Sequence, residues 1–220
     1  MMAGSMPSPA SLHVLVAGAG GIGCPATWGL AASGVGRITV LDPDVVELSN
    51  LPRQVWYRRE DIGRSKAQVA AARLPAAGFV GGVHARLDDT NEEALRAGVD
   101  VAIDATDGAH AKDWLNQWAV RRGVPLVHAA GLRSEARLLR VPAGGRPCLA
   151  CLFGRLTEET GSCADLGVWN GVVGTVGFLA AHAATSEPVQ GAGGYAVLDF
   201  ESGRAMTLGA RAARACPVCS

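Results

Sequence analysis

Residues 13–23 read HVLVAGAGGIG. The first five form a short apolar run that suits a strand buried on both faces of a parallel sheet. Gly18, Gly20 and Gly23 then satisfy the G-x-G-x-x-G pattern of a strand-to-helix phosphate turn, with an additional glycine at Gly21. Glycine permits the tight turn and lets phosphate oxygens approach the backbone, and the N–H groups opening the next helix face them. A helix is predicted over 22–32 and a second strand, RITVL, over 37–41. Asp42 closes that strand, where a carboxylate accepts hydrogen bonds from ribose hydroxyls. A tight turn without a ligand is the plain alternative. The strand before, the helix after and the acid at 42 favour a nucleotide, without naming it.

Outward from this βαβ unit, 42–54 is polar and proline-punctuated, hence a loop. Residues 65–74 read as an alanine-rich helix, 79–87 as a third strand, 91–97 as a short helix and 99–103 as a fourth strand ending in DATDG. A helix over 111–122 and a fifth strand over 125–128 follow. After Gly131 the rhythm changes. Residues 135–141 alternate and predict an antiparallel strand, 168–184 a long helix of small residues, and 195–200 with 205–208 a closing hairpin around Gly203. The expected fold is α/β: a Rossmann-like, doubly wound, mostly parallel sheet with an antiparallel C-terminal extension and a four-cysteine zinc site. Residues 1–11 read as a disordered lead-in and 12–220 as one domain.

Bulk properties narrow the partners. Twenty basic side chains balance twenty acidic ones, so no global field calls for nucleic acid or an anionic membrane. The opening MMAGSMPSPASLH has no basic region followed by an apolar core, so no secretory leader is expected, and the longest low-polarity run, 171–184, is too short and glycine-rich to span a bilayer. A cytoplasmic location is expected by default. In a reducing compartment six cysteines are expected to be ligands or catalysts rather than disulfides. Cys148 and Cys151 (PCLAC) and Cys216 and Cys219 (CPVC) make two C-x-x-C knuckles separated by 64 residues, a pattern that fits tetrahedral zinc clipping two distant segments together. A redox C-x-x-C or an interdomain disulfide explains two knuckles less well. Four thiolates leave no open position, so such a zinc is structural.

The loop DPDVVELSNLPRQ at 42–54, then Gly63 and Lys66, then DATDG at 104–108, follow the glycine turn in order. This combination resembles the ThiF/MoeB/HesA family, relatives of the adenylation domain of ubiquitin-activating enzymes, whose pattern runs GxGGxG, D-x-D-x-V-x-x-S-N-L-x-R-Q, G-x-x-K and D-x-T-D-N. The resemblance covers roughly 12–219. It implies that Asp42 holds the ribose, with Asp44 and Asp104 weaker candidates, Asp44 to shape the turn and Asp104 to orient the acidic loop. It also implies that Asn50, Arg53 and Gln54 line the triphosphate and the incoming carboxylate, that Lys66 contacts phosphate, and that Asp107 binds magnesium. The same four-cysteine zinc site is implied. The chemistry asks for these residue types independently: a carboxylate attacking an α-phosphate brings two anions together, and Arg53, Lys66 and a metal on Asp107 offset the repulsion. Taken singly, Arg53 and Lys66 read as solvated charges and Asp107 as a helix cap.

Two departures stand out. The last residue of the acidic motif is Gly108 rather than asparagine. No arginine precedes Arg37, whereas many relatives send an N-terminal arginine into a neighbouring subunit's site. Either a different cation serves here or that contribution is absent. Cys163 occupies the position where some relatives link covalently to their carrier by thioester or acyl disulfide. A spectator thiol is the other reading. Cys24 is expected to pack beside the glycine turn, Trp114 and Trp118 to be core or dimer contacts, and the five histidines to be packing or surface residues.

The resemblance implies ATP-dependent adenylylation of the C-terminal carboxylate of a small ubiquitin-like sulfur-carrier protein ending in Gly-Gly. A homodimer and a separate sulfur-donor protein are also implied, no rhodanese-like segment following Cys219. Two readings compete with this: a NAD(P)- or flavin-dependent oxidoreductase using the same turn and acid, and a catalytically idle scaffold of the same family.

Overall fold

A computed structural model describes residues 8–74, 79–95, 98–156, 167–186 and 193–220. Its centre is an eight-stranded sheet in the order β3-β2-β1-β4-β5-β6-β7-β8. The parallel strands are β1 (His13–Ala17), β2 (Arg37–Leu41), β3 (Phe79–Val83), β4 (Val101–Asp104) and β5 (Leu126–Leu132). The antiparallel extension adds β6 (Glu135–Val141), β7 (Gly193–Asp199) and β8 (Arg204–Ala210).

Period-two alternation divides the core between the two faces of the sheet. Val14, Val16, Ile38, Val40, Ile103 and Val127 face one cluster, into which α1 (Gly23–Ala32), α2 (Lys66–Ala72) and α5 (Asn170–Thr185) bury their apolar sides. Leu15, Ala17, Leu41, Ala102 and Leu126 face the other, where α3 (Ala109–Arg122) and α4 (Leu149–Phe153) pack with Cys148 and Cys216. Trp114 and Trp118 are core residues of this second face, and the Trp114 indole N–H donates to Asp89 Oδ1 at 2.9 Å. Gly29 and Gly177 let α1 and α5 approach closely: a Cβ on Gly177 would lie 2.5 Å from the Ile22 carbonyl oxygen.

Several boundaries differ from the sequence reading. Strand β3 stops at Val83 because β2, its pairing partner, ends at Leu41, and the next N–H, that of Asp42, takes the Val83 carbonyl. The helix expected over 91–97 is a single 3-10 turn, Glu92–Leu95. Strand β5 runs four residues beyond the expected 128, to Leu132, because β6 pairs along its whole length. Helix α4, five residues long, was not expected. None of the helices among the described residues is long and apolar enough to cross a membrane.

Candidate active site and four-cysteine cluster

The strand order reverses between β1 and β4, and a crevice opens there beyond the carboxyl ends of the parallel strands. It is a cavity of about 740 Å³, within the range of small-molecule sites. Gly18, Gly20 and Gly21 line it from the β1 turn, Asp42 and Asp44 from the end of β2, Arg53 and Gln54 from the long loop, Lys66 from the start of α2, and Asp107 from the loop after β4. Asn50 and Gly23 are not among the lining residues. Asn50 is buried and shapes the loop: its Oδ1 accepts from the Glu47 N–H at 3.1 Å. Gly23 supports the turn from beneath. A Cβ there would sit 1.7 Å from the Gly18 carbonyl oxygen, while Gly18 itself holds φ at +95°. Gly23→Ala is therefore expected to lower stability by about 1–3 kcal/mol and to weaken nucleotide binding, read by urea denaturation and calorimetry.

Asp42 is built into the wall. Its Oδ2 accepts from the Ala19 N–H at 2.6 Å and its Oδ1 from the Asp44 N–H at 2.8 Å. Burial raises its pKa, and those two backbone N–H groups and Lys66 oppose the rise. Each oxygen keeps a lone pair for a ligand hydroxyl. The Lys66 ammonium is 6% exposed as a residue and pairs with Asp44 at 2.9 Å, so the carboxylate anchors a cation at the cavity edge. Arg53 is exposed, with Nη1 donating to the Ser49 carbonyl at 2.9 Å. Gln54 is buried and its Oε1 has no partner among the described residues.

Asp107 is exposed at the cavity and has no hydrogen-bond or ion-pair partner among the described residues. It does not cap α3. Gly108 is the N-cap residue, and no side-chain cap bond is made. Cys163 lies outside the described residues. Cys24 is buried, its thiol donating to the Ala19 carbonyl at 3.2 Å, and burial pushes its pKa up to about 12, which suits packing rather than nucleophilic chemistry.

Arg86, His110 and Lys112, which the sequence reading missed, also line the cavity. The Lys112 ammonium donates to the Thr106 carbonyl, holding the acidic loop. Asp104 is fully buried and hydrogen-bonded to His128 Nδ1 at 2.7 Å, and it accepts from the Thr106 N–H and hydroxyl at 3.0 and 2.7 Å. The two residues are direct partners in the β4–β5 register, 24 positions apart in sequence. No local spacing signals that pair; His128 is buried, as a packing residue should be, and its ring is also bonded to an acid.

Burial alone would raise the Asp104 pKa. Lys112, His128 and Thr106 outweigh it and hold the carboxyl well below the usual carboxylate range. A depressed acid contributes stability above its unfolded pKa, near 3.9, and loses it as pH falls through the folded value. Asp104→Asn is expected to cost about 2 kcal/mol at pH 7. That gap from wild type should narrow below about pH 4, where the wild-type carboxylate begins to lose its advantage, in urea titrations at pH 7, 5 and 3.

On the face of the sheet that α3 covers, Cys148, Cys151, Cys216 and Cys219 place their sulfurs within 4.8 Å of one another. Three separations are 3.6 Å (Cys148–Cys216), 3.4 Å (Cys151–Cys219) and 4.0 Å (Cys148–Cys151). A tetrahedral metal with bonds near 2.3 Å requires sulfurs about 3.8 Å apart, so the donor set fits a thiolate-bound divalent metal.

Residues 8–207 match the profile of the ThiF family. The chain belongs to the ThiF family. Among its relatives, the SAMP-activating enzyme E1 of Haloferax volcanii is 42% identical over 176 residues, covering 78% of this chain and 65% of that protein. The molybdopterin-synthase adenylyltransferase of Salmonella typhimurium is 37% identical over 173 residues, covering 77% and 70%. The mouse adenylyltransferase and sulfurtransferase MOCS3 is 41% identical over 174 residues, covering 76% of this chain. This ThiF-family chain thus spans just under two thirds of the archaeal relative and 38% of the mouse one. The fold is shared with E. coli MccB in its ATP complex, at a TM-score of 0.79 and 21% identity, over 96% of this chain and 68% of that one.

Proposed function

We propose that this ThiF-family chain uses ATP and magnesium to adenylylate the C-terminal carboxylate of a small ubiquitin-like sulfur-carrier protein ending in Gly-Gly. The supporting observation is that Arg53, Lys66 and Asp107, from three separate segments, line one cavity with the glycine turn and Asp42. A carrier carboxylate oxygen attacks the α-phosphorus, the bond to the β-phosphate oxygen breaks, and pyrophosphate leaves. No proton need move. Arg53 and Lys66 reduce the repulsion between the two anions and stabilise charge on the phosphoryl oxygens. Asp42 orients the ribose. Magnesium, when bound, supplies charge neutralisation on the leaving pyrophosphate, and Asp107 is the residue free to hold it.

Lys112 and Arg86 supply further positive charge on the same wall. The four cysteines hold zinc in a structural role. Trp28, Val55 and Phe178, exposed around an apolar groove beside the glycine turn, give a second copy of the chain a surface for the homodimer.

The test is carrier-dependent ATP–pyrophosphate exchange with a small protein ending in Gly-Gly, against the same carrier lacking its last two residues. Exchange only with the intact tail supports the reading. No exchange, or tight retention of NAD, returns the chain to the scaffold or oxidoreductase alternatives.

A further inference from the structure

Asn116 on α3 is 1% exposed and lies beside the four-cysteine cluster. Its Oδ1 accepts from the N–H of Leu149 at 3.0 Å, and Leu149 directly follows Cys148. That bond fixes which way the carboxamide faces: the oxygen must point to the Leu149 N–H, so the Nδ2 amide is turned the other way. Nδ2 is fully buried and has no hydrogen-bond partner among the described residues. A buried donor left unpaired is costly, and the Leu149 bond sets this one beside the residue that follows Cys148. A neutral thiol is a weak acceptor, whereas a metal-bound thiolate carries the charge that an N–H seeks.

We propose that Asn116 is a positioning residue of the cluster, its Oδ1 holding the Cys148 knuckle through Leu149 and its Nδ2 donating to the Cys148 sulfur once a divalent metal makes that sulfur a thiolate. The orphaned amide is then the mark of a site completed by metal. Outer partners of this kind typically change metal affinity by about 10–100-fold. The proposal stands independently of the nucleotide chemistry.

Two measurements on the full chain test it. In wild-type protein loaded with cadmium-113, a scalar coupling is expected between the metal and one side-chain amide proton of Asn116, assigned by its disappearance in Asn116→Asp. An occupied site with no such coupling overturns the proposal. In Asn116→Leu, transfer of zinc to a chelator is expected to quicken by about 10–100-fold. The thiolate-to-metal absorption of the cobalt(II) form should move to longer wavelength, because the sulfur lone pairs lose a donor. A release rate and band unchanged from wild type also overturn it. Should the leucine variant fail to fold, the cadmium coupling, read on the native sequence, decides alone.

Discussion

Replacing Asp107 by alanine is expected to lower carrier-dependent ATP–pyrophosphate exchange by about 100-fold or more while leaving the unfolding midpoint within about 1 °C of wild type. The second half follows from the first layer of geometry. Asp107 is exposed, does not cap α3, and has no hydrogen-bond or ion-pair partner among the described residues, so its loss strands nothing. The first half follows from charge. The α-phosphorus is shielded by anionic oxygens, and the departing pyrophosphate needs a hard cation held in place. Asp107→Asn keeps the shape and loses the charge. It should fall nearly as far and recover in part at high magnesium, whereas alanine should not recover.

Arg53→Ala is expected to show a similar loss, since Arg53 lines the cavity and its guanidinium has no hydrogen-bond partner but the Ser49 carbonyl among the described residues. Lys66→Ala breaks a pair whose acid is largely exposed, so under about 1 kcal/mol of stability should accompany its catalytic loss. Full exchange activity in Asp107→Ala would place the metal elsewhere and sink the assignment.

The glycine turn, the alternation of strands and helices, and the change of rhythm after Gly131 were legible because each rests on local physics: φ freedom at Gly18, an unbroken buried apolar run along β1, and a long apolar helix of small residues in α5. The cysteine knuckles were legible because ligand spacing within each is local, and the fold then closes the gap between them. What stayed hidden depends on register. Asp104 meets His128 only because β4 and β5 pair in that alignment. Lys112 reaches the Thr106 carbonyl because α3 turns back over the acidic loop, and Asn116, four residues on, lies on the same side of the helix toward the cysteines. A motif position also hid its local duty: Asn50 spends its oxygen on the Glu47 N–H inside its own loop and does not line the cavity. Helix α4 escaped because five residues carry too little periodicity, and its position is set by Cys148 and the Asn116 contact rather than by its own sequence.

Removing the metal from the four-cysteine cluster is expected to lower the unfolding temperature by roughly 8–16 °C, since a ligand at a thousandfold its Kd contributes about 4 kcal/mol and each kcal/mol moves a chain of this size by about 2–4 °C. The loss should be local before it is global. The chain from Arg211 to Ser220 forms no helix or strand, and its links to the body include the Arg146 guanidinium on the Cys219 carbonyl at 3.1 Å and the cluster itself. Without metal, the four sulfurs, within 4.8 Å of one another, have no covalent bond among them, and the tail is free to leave. Hydrogen exchange should then rise first in 211–220 and in α4, next in α3, which the Asn116–Leu149 bond ties to the knuckle, while β1 and β2 keep their protection. Cys148→Ser and Cys216→Ser should reproduce the chelated protein and bind no zinc by elemental analysis. A chelated chain that melts where the loaded one does would show that the cluster is a packing feature rather than a metal clasp.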